Sequence, residues 1–463
     1  MKRILTVLLA ACILAAMLNP TLADDNWPQF RGLHASGIGS GNPPTEWDVK
    51  SGKNIGWKVP IEGLGHSAPV VWNDRVFLTT AVPGGSDKTG SEKGEPEKAT
   101  LKTGWLGGTG DSAKDVEQWT WRVICVDLKT GKELWNKQVH SGKPEVKRHL
   151  KASHANCTPA TDGKHVVAFF GSEGLYCFDF DGNLKWKKDF GRLHCGSYNM
   201  RELEWGFASS PVIHKHYVVL QCDCLNTGFV SILDLANGKE VRRIKRSDVA
   251  TWSTPCVLKA GGKTQIVCNG FKEMASYDFE TGERLWTLSG GGDVPVPAPL
   301  FFDDIFLITN GHRRSPIYAI SATARGDVTP NNESEELPEG LVWHQPRDGS
   351  YMPTPIIVDG LLYNCNDNGV LVVRDAKSGE KVYKKRVSTG TNNFTASAVA
   401  TSKHLYFCSE KGNVIVVKTG KEFEEIADND MGAVVMATPA IAGDRMLIRT
   451  VDQLFCIGAS ARR

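Results

Sequence analysis

The 463-residue chain has no CxxC or CxxCH pair and no His/Cys cluster at zinc-ligand spacing. That argues against a c-type haem and a structural zinc site. Nor does one sign of charge prevail: Lys+Arg is 54, Asp+Glu is 52, and the formal net charge is +2. Without a basic stripe or an acidic tail, the charge pattern points to no nucleic-acid partner. Beyond the N-terminus there is no apolar run long enough to span a bilayer. What the chain does have is 47 glycines and a hydrophobic fraction of 41%, which suit a globular, turn-rich protein.

The N-terminus reads as a targeting segment. Lys2 and Arg3 precede an apolar run from Ile4 to Leu18, which Pro20 breaks. Thr21-Leu22-Ala23 then offers small residues for cleavage before Asp24. Residues 1–23 are therefore expected to be a signal peptide, and the mature chain carries no net formal charge. Leu9-Ala10-Ala11-Cys12 also resembles a lipobox, so a lipid anchor on Cys12 stays open beside the favoured reading, free secretion. Either route places the protein in the periplasm or outside the cell. After cleavage before Asp24, 11 of the 12 cysteines remain, an odd number that argues against a complete disulfide framework.

A motif recurs along the chain: VDLKTGKELW (126–135), FDFDGNLKW (178–186), LDLANGKEVR (233–242), YDFETGERLW (277–286) and RDAKSGEKVY (374–383). A second motif opens each repeat with a small residue and proline before an apolar run: SAPVV (67–71), CTPAT (157–161), SSPVI (209–213), STPCV (253–257), PAPLF (297–301), PTPII (353–357), TASAV (395–399) and ATPAI (437–441). Eight openings at a base period a little over 40 residues fall in the propeller-blade range. Within one period, four short strands are read at 354–360, 361–367, 370–376 and 380–387, separated by turn signals. The prediction is an all-β fold, an eight-bladed β-propeller of four-stranded antiparallel blades. The last repeat holds only three strands, so IGWKVPI (55–61) is expected to supply the fourth, with Trp57 in the place of Trp135 and Trp286. The organisation predicted is an N-terminal extension at 24–53, the propeller at 54–458 and a tail at 459–463. Repeated placement of cysteines inside strands, as at Cys125 and Cys177, reads as small core residues. The recurrent Asp–turn–Gly–Trp motif reads as structural: the Asp caps the turn, the Gly takes a left-handed conformation and the Trp packs between blades.

Strand order assigns faces. The second-to-third turns and the fourth-to-first connections converge on one face, here the top, opposite the Asp–Gly turns. The residues just before each proline then ring the mouth of the central channel. The candidate ligand-binding rim is His66, His154, Asn156, Trp205, Ser209, Trp252, Ser253, Tyr351, Asn393 and Met436. Aromatic faces and hydrogen-bonding side chains suit a small-molecule or protein ligand there; the alternative is that they fill the channel and satisfy one another. An insertion at 82–118 projects from the top, where GWLGG (104–108) and QWTW (118–121) are candidates for a lid. A second top insertion covers 191–206, and a third, at 323–340, lies on the bottom and reads as a solvated loop. Glu173, Asp223, Asp367, Glu410 and Asp452 reach the top but lack calcium-loop spacing. No metal ligand and no catalytic residue is assigned.

The repeats resemble the tryptophan-docking motif of quinoprotein propellers, the pyrroloquinoline quinone (PQQ) repeat family, over nearly the whole mature chain. A closer resemblance is to secreted bacterial PQQ-like propellers, which carry segments like NWPQFRG (26–32), GHSAPVVW, GFASSPV, WSTP and GSYMPTP. The resemblance extends to BamB-type propellers of the outer-membrane assembly machinery. The leading expectation is a ligand- or protein-binding scaffold working through the top funnel; one alternative the resemblance implies is an outer-membrane assembly scaffold, with envelope proteins as partners. Another alternative it implies is a PQQ-dependent alcohol or sugar dehydrogenase, with PQQ and calcium in the channel mouth and an adjacent-cysteine disulfide on the quinone. Here Cys222-Asp223-Cys224 replaces the adjacent pair, and Trp252 is the candidate stacking floor. A monomer without a transmembrane segment is expected.

Overall fold

The structure is a computed structural model that describes residues 25–84, 99–104, 110–115, 118–312, 314–331, 336–388 and 392–458. The expected signal peptide, the tail and much of the 82–118 insertion lie outside the described residues.

Eight antiparallel sheets follow one another along the chain. The sixth blade shows the pattern: Ile356–Val358, Leu361–Cys365, Val370–Asp375 and Lys381–Arg386, ordered as in the sequence. The eighth is completed from the far end of the chain. Ile55–Pro60 pairs antiparallel with Gln453–Ile457, and Trp57 lies opposite Cys456. Trp135 opposite Cys125 and Trp186 opposite Cys177 hold the same place, each just before a bulge. The ring thus has no blade left with three strands, and its open edges are the outer strands. In the sixth blade that outer strand carries Lys381, Lys384, Lys385 and Arg386, charges that discourage edge-to-edge pairing.

The Asp–Gly turns lock neighbouring blades together. Asp127 Oδ1 accepts the Lys129 and Thr130 N–H groups at 3.1 and 2.7 Å, and Gly131 sits at φ +72°. Because Gly131 has no Cβ, the Trp57 indole lies flat against it, 2.7 Å from where a Cβ would stand. The Trp57 Nε1–H donates to Leu128 O at 2.9 Å. Trp135, Trp186 and Trp343 repeat this on the turns of the following blades. In the third blade Arg242 stands in for Trp and donates to Phe279 O. Among these tryptophans Trp286 differs, since its Nε1 has no partner among the described residues. The next blade's turn is replaced there by the 323–340 insertion. That insertion is more than a solvated loop: Gly326–Asp327 adds a parallel fifth strand beside Trp286 and Thr287, and Val328 is fully buried.

Two further devices surround the channel. At the openings of six blades a hydroxyl accepts the backbone N–H of the corresponding residue one blade earlier: Ala68 to Thr158, Thr158 to Ser210, Ser210 to Thr254, Ala298 to Thr354, Thr354 to Ser397 and Ser397 to Thr438, all at 2.9–3.1 Å. The ring is interrupted where Ala68 and Ala298 hold the acceptor position. Across the bottom lies the N-terminal extension. Its Trp27 bridges to Val71, Pro28 O accepts Thr161 N–H, and Gly37 and Gly39 pair with Ala400. Arg31, fully buried, donates to the carbonyls of Ala35, Ser36, Thr354, Pro355 and Ala398.

Candidate functional site

The top face gathers the expected rim residues but divides them by depth. His66, Asn156, Trp205, Trp252, Tyr351 and Asn393 are partly exposed, whereas His154, Ser209, Ser253 and Met436 are buried. Trp205 and Trp252 form the aromatic centre, their rings 5.6 Å apart and tilted by 36°. Each is fixed by its indole N–H: Trp205 donates to Gly110 O at 2.6 Å and Trp252 to Gly206 O at 2.8 Å. His149 meets Trp205 edge-on at 5.9 Å. Tyr351 packs near His312, and burial pushes its phenol up to about 12.

The other members are held by the scaffold. Asn156 accepts from Ser153 N–H and Oγ–H at 2.9 Å and donates to Phe207 O at 3.1 Å. Ser253 donates to Pro297 O at 3.0 Å. Glu410 N–H donates to Asn393 O at 2.8 Å. His154 lies below the surface, edge-on to Trp119 at 4.8 Å, with Nε2 2.8 Å from Asp115 Oδ2. Burial lowers the His154 pKa in spite of Asp115, so the neutral ring donates an N–H bond there. Burial pushes Asp115 up, but His154 and Arg148 outweigh it and hold the carboxylate below its ordinary value.

Ionic groups that the sequence pattern did not single out shape the mouth. Arg148, fully buried, binds Asp115 at 2.6 Å and the carbonyls of Thr100 and Ala152. Lys151, before the second blade, reaches Glu410 on a turn of the seventh at 2.5 Å. Glu410 also accepts Gly104 N–H at 2.7 Å and the Thr395 hydroxyl at 2.6 Å. The described flanks of the 82–118 insertion therefore lie across the mouth, from Thr100 and Gly104 to Asp115. QWTW is no lid: Trp119 and Trp121 are fully buried in the strand Trp119–Asp127, because alternation carries both indoles to one packed face. GWLGG beyond Gly104 lies outside the described residues. Arg449, buried next to the break in the hydroxyl ring at Ala68, donates to Ser67 Oγ and Thr79 O at 2.7 Å. Beside it His66 is pushed down to about 3 by burial and by the Arg449 charge. A basic run, KRHLK (147–151), and an arginine within the apolar strand Arg445–Arg449 were the available signals.

Chemically, the mouth offers aromatic faces, neutral imidazoles and ions already paired, an arrangement suited to recognition. Among the described residues, no group of three His, Cys, Asp or Glu side chains is placed to hold a metal ion. Asp223, beside the cysteines of the third blade, is bound by Arg246 Nε at 2.9 and 3.0 Å and by Gln221 at 2.7 Å.

Comparison with known proteins gives one family and several structures of the same fold. A family model described as outer membrane protein assembly factor BamB matches residues 41–243, 120–382 and 226–460. No curated protein matches the chain. Among solved structures, BamB from Moraxella catarrhalis is 12% identical, with TM-score 0.53, covering 88% of this chain and 98% of its own. Quinohemoprotein alcohol dehydrogenase from Comamonas testosteroni is 11% identical, with TM-score 0.60, covering 95% and 81%. The computationally designed Ika8 protein is 12% identical, with TM-score 0.50, covering 78% and 98%. At these identities the structures share the fold alone.

Proposed function

Because the chain belongs to the BamB-type PQQ-repeat propeller family, we propose that it is an envelope scaffold that binds a protein partner through the top of its ring. The observation that carries this reading is the asymmetry of the two faces. The bottom is crossed by the N-terminal extension around Arg31. The top presents the partly exposed Trp205–Trp252 pair and the insertion with exposed Met200, Arg201 and Glu202. Flat indoles and exposed charged side chains suit a protein surface, where aromatic anchors supply most of the binding energy. Export by the N-terminal segment is part of the proposal.

A photo-cross-linking amino acid placed at Arg201 or Glu202 tests it in cells. Adducts with an outer-membrane assembly protein are expected from these positions, and not from Lys129 on the opposite face. Trp205→Ala with Trp252→Ala should weaken the adduct while leaving the ring folded. Equal adducts from both faces, or none from the top, would refute the top-face reading.

The fold likeness to a quinohemoprotein alcohol dehydrogenase supports a second reading, a PQQ-dependent oxidoreductase. The described residues fit that cofactor poorly. Trp252 already has the Trp205 ring against it, and the described carboxylates assemble no three-ligand metal site. Purified protein mixed with PQQ and calcium separates the readings. Lack of quinone absorbance at micromolar PQQ removes the enzyme, and dye reduction with alcohols or sugars restores it.

A further inference from the structure

The top insertion at 191–206 is joined to the third blade through sulfur. Cys195 Sγ lies 3.0 Å from Cys224 Sγ, and both residues are buried. The two backbones run side by side: Leu225 N–H donates to His194 O at 2.8 Å, and Asn226 Nδ2 donates to Arg192 O at 2.9 Å. Closing a bond of ~2.05 Å from this contact needs a movement of only about 1 Å. Cys157 and Cys222 share the same apolar cluster, yet only Cys195 and Cys224 are in sulfur–sulfur contact among the described residues. We propose that Cys195 and Cys224 form a disulfide that fixes the 191–206 insertion, and with it Trp205, to the ring.

The consequence for the rim is direct, because Trp205 N–H donates to Cys195 O at 2.8 Å. Gly196 bridges to Glu204 at the same neck. The segment is thus a loop tied at its base, with Met200, Arg201 and Glu202 exposed at its tip. A covalent tie at the base removes open conformations in which Trp205 leaves Trp252. The oxidant is an external disulfide, such as oxidised glutathione or a protein disulfide donor. One cysteine thiolate attacks it, forming a mixed disulfide and releasing one thiol. The second cysteine then displaces the other half, which leaves as a second thiol and takes up the proton. Two protein thiols are oxidised and one external disulfide is reduced. Burial raises the Cys224 thiol well above its ordinary value, so exchange proceeds when the loop lifts, during folding or by local opening.

The bond itself is tested on the full chain purified in the reduced state, so that this arm does not depend on export. The protein is incubated with oxidised glutathione, alkylated and digested with trypsin without reduction. The expected product is peptide 193–201 joined to peptide 216–239, separated again by reductant. Fragmentation should place the link on Cys224. Cys222→Ser should keep the link and Cys224→Ser should lose it. Alkylated, free Cys195 and Cys224 would overturn the proposal, as would a link from Cys195 to Cys157 or Cys222. In the native state, oxidised wild type should be cut by trypsin at Arg201 about tenfold more slowly than the reduced form; equal rates would refute the anchoring of the loop. Protein recovered from the periplasm should carry the same link. If it forms in vitro but not there, the site stands and the export reading fails.

Discussion

At Gly131, φ is +72° and the Trp57 ring lies 2.7 Å from the position of a Cβ. Gly131→Ala therefore has to strain the backbone and displace an indole, at a cost of about 2 kcal/mol or more. Trp57→Ala removes the same contact from the other side and its bond to Leu128 O, for about 3–5 kcal/mol. Urea unfolding should show the larger loss for Trp57. The Asp and Gly of this turn were legible in the sequence, because turn geometry demands those residue types wherever it occurs. Glu173 was visible only as one acid on a top turn. Burial raises its pKa to about 7, and this sets a pH dependence. Below the unfolded pKa, near 4.5, both states hold the proton and the group is neutral in effect. As pH climbs to about 7 the unfolded chain loses its proton while the folded one keeps it, so stability falls, by up to about 3 kcal/mol. Glu173→Gln keeps an acceptor for Glu145 N–H and should melt above wild type at pH 8, with the two converging near pH 4.5.

At the level of elements, Ile55–Pro60 and the extension before it do separate jobs. The strand completes the eighth blade through Gln453–Ile457. The extension covers the bottom and buries Trp27, Arg31 and Trp47. Removing residues 25–53 should leave a folded ring of lower stability, with unchanged strand content by circular dichroism. Removing 25–60 exposes an unpaired edge and should give aggregates on size-exclusion chromatography. Strand closure was legible because Trp57 repeats the spacing of Trp135 and Trp286. The path of the extension was not, since Trp27, Gly37 and Gly39 bind backbone groups and leave no side-chain pattern. QWTW misled for a related reason: exposed and buried aromatics look alike until the strand has neighbours.

For the whole ring, cohesion between blades rests on the hydroxyl relay as well as on apolar packing. Ser210→Ala deletes the acceptor of Thr158 N–H and Ser397→Ala that of Thr354 N–H. Each should cost about 1–2 kcal/mol. The two sites are in different blade junctions and share no partner, so the double variant should lose close to the sum in urea unfolding. Strong coupling between them would instead mean that one opened seam releases its neighbours.

The sequence by itself determined the number of blades, the closing strand and which loops share a face. Each of these follows from local periodicity, and a repeat writes its periodicity many times over. Only the tertiary structure decided that Arg449 meets Ser67, that Lys151 meets Glu410 and that Cys195 touches Cys224. Those contacts join single residues far apart in the chain, whose meeting depends on where the closed ring places each loop.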